Sequence, residues 1–429
     1  MAHLTGQSAI ARLVRRLNAF PQGAPDSELL RRILSMLLSD KEAELLALVP
    51  LRPFTAADAA RAWRLTEHEA GRILEELTSR AVLLDSQHED GTRWAMPPPM
   101  AGFFEFSMMR VRDDIDQRLL AELFHQYINV EREFVEALFG TGITQLGRAF
   151  VHEPVLPPEL GLQVLDWERA SEVVRRAQVM GVSMCYCRHK MEHLGRACDA
   201  PMEICMTFGG VAGSLIRHGH ARAVGTAEGL DLLAQAWEQG LVQFGENVRE
   251  DVAFICNCCG CCCEAMIAAR RVGHLHPVNT TAFLPVVGAD ACSGCGRCVR
   301  ACPVAALSLV SSNDPAMPER LVARLETDAC LGCGVCVRAC HRGALTLQHR
   351  GLRTLTPLDS VHRVVLMALE RGRLGNLLVD AQAAGWRAVA AVLNAIMRLP
   401  PLRQVLAMEQ VRSRYLEALI LRFRSPESA

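Results

Sequence analysis

The placement of the cysteines constrains this chain more than any other feature. All 18 cysteines lie between Cys185 and Cys340, and the sequence on either side of this block contains none. A secreted disulfide scaffold is normally short and carries its bridges along the whole chain. A dense block inside a long, cysteine-free body is instead typical of metal or iron–sulfur cluster binding.

Composition sets the broad class of the protein. A chain of 429 residues that is 50% hydrophobic has enough material for two or three folded domains. The formal charge of −1 argues against a protein that coats nucleic acid or an anionic membrane. We therefore expect a folded protein whose chemistry is concentrated in the cysteine block.

Neither an export signal nor a membrane span is expected. Arg12, Arg15 and Arg16 near the N-terminus are not followed by an apolar stretch or a small-residue cleavage site. The apolar run from Ala388 to Met397 is far too short to cross a bilayer. We expect a cytoplasmic protein, in which the thiols stay reduced and available to iron or zinc.

An internal repeat forms the second half of the cysteine block. Residues 290–310 and 328–348 each contain the run C-x2-C-x2-C-x3-C, repeated after 38 residues. In this spacing three thiolates on a tight loop bind three irons of one cubane, and the fourth reaches the partner cluster. The expected ligand sets are Cys292, Cys295, Cys298 and Cys340 for cluster 1, and Cys330, Cys333, Cys336 and Cys302 for cluster 2.

On these residues the chain resembles the dicluster [4Fe–4S] ferredoxin family over roughly 283–350. The resemblance implies two [4Fe–4S] clusters and electron transfer, whereas a zinc site would use cysteines in separated pairs. We expect four glycines in the loops, Gly294, Gly296, Gly332 and Gly334, to let the backbone fold around each cluster. Two features depart from the family pattern without removing a ligand. His341 replaces the proline found as Pro303 in the first repeat, and the segment between the repeats is longer.

Ten further cysteines precede the repeat and are candidate ligands of one or two more iron–sulfur clusters: Cys185, Cys187, Cys198, Cys205, Cys256, Cys258, Cys259, Cys261, Cys262 and Cys263. The simplest grouping takes the first four as one set and four of the last six as another. A mixed grouping that draws on both stretches is also open, and so is zinc in part of the block. Because adjacent cysteines do not easily face the same cubane, some of the last six are expected to serve another role.

Basic residues follow the first of these cysteines closely, among them Arg188, His189 and Lys190. They either offset the charge of thiolate ligands or form a solvated helix face. The whole block, from about 180 to 350, resembles a group of bacterial multi-cluster iron–sulfur proteins of the ferredoxin type. That resemblance implies electron-transfer chemistry and names no substrate.

The N-terminal part has the element order of a winged helix. Three helical patterns precede a hairpin signal at Asp90-Gly91, and Thr66 with Glu69 fits a capping box at the start of the third helix. The helix that would enter a DNA groove, 66–80, carries four glutamates against two arginines. Because phosphate contacts supply most DNA affinity, we expect a docking or dimerisation element and no binding to nucleic acid.

The predicted fold class is α+β: a winged-helix-like module, a mainly helical middle with a cysteine-rich cluster-binding region, a ferredoxin-like dicluster module and C-terminal helices. The predicted divisions are an N-terminal helix at 1–26, the winged-helix-like module at 27–100, a helical linker region at 101–180, the cysteine-rich region at 181–275, the dicluster domain at 276–350 and the C-terminal helical region at 351–429.

The leading functional hypothesis is an electron carrier or oxidoreductase subunit that passes low-potential electrons through two ferredoxin-type clusters to further clusters or to a redox partner protein. Assembly into a homo-oligomer or a larger complex is compatible with the sequence. Two alternatives stay open: a redox- or iron-responsive regulator that uses the winged helix, and a reductase with chemistry at an upstream cluster. No phosphate-binding, dinucleotide-binding or radical S-adenosylmethionine motif is found.

Overall fold

A computed structural model describes residues 8–139, 142–161, 164–273, 276–351 and 356–378. Its mixture of helices and strands confirms the α+β class. The chain divides into two compact units. The first unit takes the described residues up to 144, 214–220 and 358–378, and the second takes those within 145–213 and 221–357. The C-terminal helices predicted beyond residue 378 lie outside the described residues.

The first unit is built mainly of helices, with one hairpin. Its helices are α1 Ala9–Leu17, α2 Glu28–Leu37, α3 Asp40–Leu46, α4 Ala56–Trp63, α5 Glu67–Ser79, α6 Phe104–Phe106, α7 Gln117–Phe124, α8 Glu133–Phe139, α17 Ser360–Glu370 and α18 Leu374–Leu378. Its strands are β1 Leu84–His88 and β2 Gly91–Ala95. A wide helical turn occurs at His125–Val130, whereas Pro99–Phe103 is a kink with non-helical backbone at Met100, Ala101 and Gly102.

Local sequence explains where the central helices begin. The Thr66 hydroxyl accepts a hydrogen bond from the Glu69 amide while the Glu69 carboxylate accepts one from the Thr66 amide, which confirms the predicted capping box. The strands β1 and β2 pair around Asp90-Gly91, so the predicted hairpin is also confirmed. The winged-helix assignment of these elements and the division boundaries stay predictions.

A buried carboxylate ties the hairpin to the segment 214–220 within this unit. The Ser214 hydroxyl donates to the Asp85 carboxylate at 2.6 Å, and the Arg217 guanidinium donates to it at 2.9 and 3.1 Å. The Asp85 amide in turn donates to the Ser214 hydroxyl at 3.1 Å. The buried carboxylate and amide of Asp85 therefore both have hydrogen-bond partners.

In the predicted helical linker region, 101–180, the helices are shorter than the sequence patterns predict. The sequence indicates a helix over 113–139, but the Asp116 side chain caps α7 at Leu119, and the extended Glu131 precedes α8. The sequence also indicates a helix over 167–179, but α10 spans only Ala170–Arg176, and β4 begins at Met180.

In its described residues, the second unit mixes helices with ten strands. Its helices are α9 Pro158–Gly161, α10 Ala170–Arg176, α11 Tyr186–His193, α12 Gly209–Arg217, which continues into the segment 214–220, α13 Thr226–Glu238, α14 Glu264–Arg271, α15 Arg297–Ala301 and α16 Val335–Arg338. Its strands are β3 Gly147–Ala149, β4 Met180–Met184, β5 Glu203–Phe208, β6 Arg222–Ala223, β7 Val242–Glu246, β8 Phe254–Cys258, β9 Phe283–Val287, β10 Leu307–Ser311, β11 Leu321–Leu325 and β12 Leu345–His349. Single 3-10 turns lie at Glu153–Val155 and Asp166–Glu168.

Six of these strands form an antiparallel sheet that the sequence analysis did not anticipate. Its order is β3-β7-β8-β5-β4-β6. The central neighbours β8, β5 and β4 each carry upstream cysteines within the strand or directly after it. The sheet therefore gathers thiols that are far apart along the chain.

The repeat region forms two further antiparallel pairs. Strand β9 pairs with β12, and β10 pairs with β11. The longer segment between the two repeats is the β10–β11 hairpin and its turn, which accounts for that departure from the ferredoxin pattern. Within the part of the chain that the structure describes, no helix is long and apolar enough to cross a membrane.

Candidate metal centres

The two ferredoxin-type loops have the same construction. Each C-x2-C-x2-C run lies on a loop that leads into a short helix, α15 after the first and α16 after the second. Gly296 and Gly334 cap these helices with φ of 70° and 85°. L-residues with a side chain avoid this left-handed region, so glycine is required for the chain to turn from the loop into the helix.

The fourth cysteine of each run lies beside the first three of the other run. Cys302 acts through charge on Cys330, Cys333 and Cys336, and Cys340 acts on Cys298 in the same way. The sulfurs in each set are close enough to influence one another, yet no thiol–thiol hydrogen bond joins them among the described residues. Each set thus leaves space between its four thiols.

The surroundings of both sets suit thiolate ligands of an iron–sulfur cluster. A cavity of about 220 Å³ is lined by Cys292, Cys295, Cys298 and Cys340. Backbone amides donate to cysteine sulfurs: Ala323 to Cys292 at 3.4 Å, Ala306 to Cys302 at 3.2 Å and Gly332 to Cys330 at 3.3 Å. Such N–H···S contacts orient cluster ligands and tune their potential, so the donor set and its cradle fit the group.

Burial makes the second set more dependent on a bound cation than the first. Burial raises the pKa of Cys333 to about 12, and it also raises the pKa values of Cys330 and Cys336. By contrast Cys295 is exposed, and hydrogen bonds from the Arg297 amide and the Ser293 hydroxyl lower its pKa. Without metal the buried thiols stay protonated, and iron must displace their protons.

Six of the upstream cysteines interact in a closed ring, here called the thiol ring. Each thiol interacts with two neighbours in the order Cys185, Cys187, Cys263, Cys258, Cys256, Cys205 and back to Cys185. Cys205, Cys256 and Cys258 lie in the adjacent strands β5 and β8, and Cys185 directly follows β4. Cys263 is the N-cap of α14, and Cys187 lies in the first turn of α11.

The pKa shifts alternate around the thiol ring. Hydrogen bonds from the two neighbouring thiols lower the pKa of Cys256 to about 5 and that of Cys263 to about 6, and they lower that of Cys185. The three donors, Cys187, Cys205 and Cys258, have raised pKa values for the same reason. The metal-free ring can therefore hold a few thiolates, which is the form that binds metal.

The other four upstream cysteines form a second group, here called the tetrad: Cys198, Cys259, Cys261 and Cys262. Their sulfurs all lie within 4.8 Å of one another. The Cys262 thiol donates to Cys198 at 3.8 Å, and Cys261 and Cys262 are 3.7 Å apart. Cys198 thus joins the later cysteines, which is the mixed grouping that the sequence left open.

The basic residues after Cys187 are largely buried, so they do not form a solvated helix face. The Arg188 side chain is 1% exposed and donates to the carbonyls of Pro201 and Asn257 at 2.9 and 2.8 Å. Although burial lowers its pKa, the nearby Cys185, Cys259, Cys205 and Cys258 raise it overall. Its Nε–H has no acceptor among the described residues. A buried cation with an unused donor fits a site that accumulates thiolate charge.

A buried ion pair holds the two cysteine-bearing helices of the thiol ring together. Lys190 of α11 pairs with Glu264 of α14, and both side chains are almost completely buried. Asn257, fully buried between Cys256 and Cys258, donates to the Ile204 carbonyl at 2.8 Å. No sequence motif points to Glu264 or Asn257. The sequence signal for both residues is that each stands next to a cysteine.

The thiol ring and the second ferredoxin-type set share one packed core. Cys258 and Cys263 pack in the same cluster of side chains as Cys330 and Cys333, with Cys302 at its margin. The Arg270 guanidinium donates to the Pro303 carbonyl at 2.8 Å. Gly260 approaches Pro303 so closely that a Cβ placed there would lie 2.6 Å from the Pro303 oxygen. The two thiol groups are thus neighbours without an intervening layer of secondary structure.

Comparison with known proteins agrees with the ferredoxin-type geometry. Residues 291–351 match the family model of the 4Fe-4S dicluster domain. This match supports 4Fe–4S binding by that part of the chain, and the cysteine-rich remainder is consistent with an iron–sulfur protein of the ferredoxin type. No curated protein and no solved structure shows a match to the chain.

Proposed function

We propose that this chain is an iron–sulfur electron-transfer protein in which an exposed ferredoxin-type site is connected through a buried one to the thiol ring. The observation that carries the proposal is the shared core of the thiol ring and the second ferredoxin-type set. Iron–sulfur clusters supply one-electron redox chemistry when bound. The residues of the chain decide where that chemistry takes place.

The ligand roles follow the grouping of the thiols. Cys292, Cys295, Cys298 and Cys340 hold one cluster, and Cys302, Cys330, Cys333 and Cys336 hold the other. The amides of Ala323, Ala306 and Gly332 stabilise the thiolate form by donating to three of these sulfurs. These assignments rest on the repeat spacing, the crosswise proximity and the matched domain.

The thiol ring holds a further iron–sulfur cluster. Six thiols exceed the four that one cubane requires, so the ring either leaves two thiols unligated or binds a larger cluster. Arg188 offsets the negative charge of the ligands, and the Lys190–Glu264 pair fixes the helices that carry Cys187 and Cys263. Four of its six thiols are buried, and Cys187 and Cys256 are half-buried.

The exposed ligand of the ferredoxin-type sets lies in the first set. Cys295 is exposed, whereas Cys330 and Cys333 are 7% and 8% exposed, and Cys258 and Cys263 are 6% and 5% exposed. An external redox partner therefore reaches the chain most readily at the loop around Cys295. Arg297, His341 and Arg342 line the cavity there, and no carboxylate does so among the described residues. A partner with an acidic surface matches this site.

The helix–hairpin part of the first unit is a docking module of winged-helix type. Helix α5, which precedes the hairpin, exposes Glu67, Glu69, Glu75 and Glu76. Arg80, which follows the helix, forms an ion pair with Glu42. Of the two arginines in 66–80, Arg72 is the exposed one. An acidic face suits a basic protein surface and repels phosphate. Nothing in the described residues favours the regulator or reductase alternatives.

Iron and acid-labile sulfide per chain, measured on anaerobically purified protein together with the EPR spectrum after dithionite reduction, test the proposal. Eight irons belong to the two ferredoxin-type sites. We expect about four to eight more, with matching sulfide, and magnetic interaction between the reduced centres. About four additional irons indicate a cubane in the thiol ring, and about eight indicate a larger cluster.

Two results would contradict the proposal in different ways. If the chain held only eight irons and all six thiols of the ring could be alkylated, the ring would hold no cluster and the chain would be a simple dicluster protein. If the fully loaded protein neither accepted electrons from dithionite nor returned them to an oxidant, the proposal of electron transfer would be wrong.

A further inference from the structure

We propose that the tetrad is a site for a single metal ion, bound by four thiolates and separate from every iron–sulfur cluster. Its ligands are Cys198, Cys259, Cys261 and Cys262. The ion is a soft divalent cation, zinc or iron, which are the metals that four thiolates in this arrangement prefer. This inference does not depend on the electron-transfer proposal.

The spacing of the sulfurs carries the inference. In a tetrahedral site with metal–sulfur bonds of about 2.3 Å, neighbouring sulfurs lie about 3.8 Å apart. The contacts in the tetrad are 3.7 Å between Cys261 and Cys262 and 3.8 Å between Cys262 and Cys198. All four sulfurs remain within 4.8 Å of each other. One ion at their centre would reach all four.

A cubane does not suit this spacing. Each thiolate of a cubane binds a different iron, and the inorganic core keeps the cysteine sulfurs out of contact with one another. The ferredoxin-type sets behave in this way, since their cysteines influence one another only through charge. In the tetrad all four sulfurs lie within 4.8 Å of one another, so there is no room between them for four irons and four sulfides. The thiol ring differs, because each of its thiols is hydrogen-bonded to only two of the other five.

Charge and access are both compatible with an ion at the tetrad. Four thiolates around a divalent cation carry two net negative charges, and the Arg188 guanidinium acts on Cys259 with the opposite charge. Cys261 is exposed, Cys198 and Cys259 are half-buried, and Cys262 is buried. The ion can therefore enter from solvent after the chain has folded.

The position of the tetrad gives the ion a structural role. Cys259, Cys261 and Cys262 belong to the turn between β8 and α14, which also carries Cys258 and Cys263 of the thiol ring. Cys198 lies in the loop that follows α11. An ion that joins this loop to the turn fixes the backbone between two ligands of the ring. The tetrad thus supports the neighbouring site without carrying electrons.

Metal analysis of two matched variants tests the inference. Cys261→Ser removes the exposed ligand of the tetrad, and Cys295→Ser removes an exposed ligand of the first ferredoxin-type set. Zinc, iron and labile sulfide are measured per chain on anaerobic protein, with far-UV circular dichroism to verify folding. We expect the unmodified chain to hold one zinc, or one iron in excess of sulfide. The Cys261→Ser variant should lose that ion and keep its labile sulfide. The Cys295→Ser variant should keep that ion and lose labile sulfide.

X-ray absorption at the edge of the retained metal supplies the second readout. Four sulfur neighbours at about 2.3 Å, absent from Cys261→Ser, would support the site, and the metal edge distinguishes zinc from iron. Loss of about four irons with four sulfides from Cys261→Ser would overturn the inference in favour of a cubane. A metal-free tetrad, recovered as four alkylatable thiols or as a disulfide, would overturn it as well. Neither result affects the iron count of the ferredoxin-type sites.

Discussion

At the scale of single residues, the upstream block depends on buried charge. Arg188 is enclosed between thiols of both upstream groups, and its two carbonyl partners fix its position. A cation in such surroundings favours the more negative, reduced state of any neighbouring redox centre. Its effect is therefore electrostatic as well as structural.

Arg188→Gln should make the upstream centre harder to reduce. Removing one positive charge at close range should lower its reduction potential by on the order of 100 mV, since the reduced state loses a favourable interaction. An EPR-monitored redox titration measures the shift. Arg196→Gln, at an exposed arginine eight residues further along the chain, is the control and should leave the potential unchanged. Equal potentials in all three proteins would show that Arg188 is only a packing residue.

Asp85→Asn should destabilise the first unit by about 1–3 kcal/mol, because the buried Ser214 hydroxyl and the exposed Arg217 guanidinium lose a charged acceptor. Burial raises the pKa of Asp85, but these hydrogen bonds and charges outweigh it and the pKa lies below its ordinary value. The contribution of this carboxylate to the free energy of unfolding is therefore complete above about pH 4 and is lost as the pH falls through its pKa in the folded protein. Chemical denaturation at pH 7 measures the change. Asp90→Asn, at an exposed carboxylate, should show no change.

At the scale of elements, the contact between the cysteine-rich turn and the end of the first ferredoxin-type run, which supplies Cys302 to the second set, fixes the spacing of the two sites. Gly260 belongs to the turn between β8 and α14, and Pro303 directly follows Cys302. Both sides of the contact are backbone, so neither can rotate away from an added methyl group. The distance between the thiol ring and its neighbour is set by this approach.

Gly260→Ala should separate the turn from Pro303 and weaken communication between the two sites. A Cβ would lie 2.6 Å from the Pro303 oxygen and 2.8 Å from its Cα, so the backbone must shift. We expect the magnetic interaction between the reduced centres to decrease, or upstream iron to be lost. Gly210→Ala, where an added Cβ meets no atom within 4 Å, is the matched control. Identical EPR spectra for the two variants would argue against this contact.

Structural features that depend on neighbouring residues could be predicted from the sequence. Features that depend on the order of strands in the sheet could not. The repeated cysteine runs, the Thr66 capping box and the Asp90-Gly91 hairpin are each set by residues a few positions apart. The thiol ring instead depends on β8 lying beside β5 and β5 beside β4, an order that no spacing in the sequence specifies. For the same reason Cys198 could not be separated from Cys185, Cys187 and Cys205 beforehand.

At the scale of the whole molecule, the loop around Cys295 is the exposed part of the ferredoxin-type sites. A redox partner reaches these sites most readily there, and the cavity at this loop is lined by arginines and a histidine. Long-range attraction of this kind changes the rate of encounter more than the stability of the complex.

Reversing two of these charges, in Arg297→Glu combined with Arg342→Glu, should alter reduction rates according to the charge of the reductant. Reduction by anionic dithionite should slow about threefold to tenfold at low salt, and reduction by the cationic reduced methyl viologen should accelerate. Stopped-flow absorbance measures both rates. The difference should disappear at about 1 M salt, where charges are screened within a few ångströms. Equal effects on the two reductants would indicate damage to the cluster and not a change in steering.

The crosswise sharing of the fourth cysteines has a consequence for how the protein matures. All cysteines of the thiol ring and the tetrad are present once the ribosome has passed Cys263, whereas the first ferredoxin-type set is complete only when Cys340 has been added. During synthesis, ten thiols are thus present before Pro303 and the second repeat can cover them. Oxygen and stray metals have their best opportunity in that interval, so the vulnerable species is the unfinished polypeptide and not the mature protein.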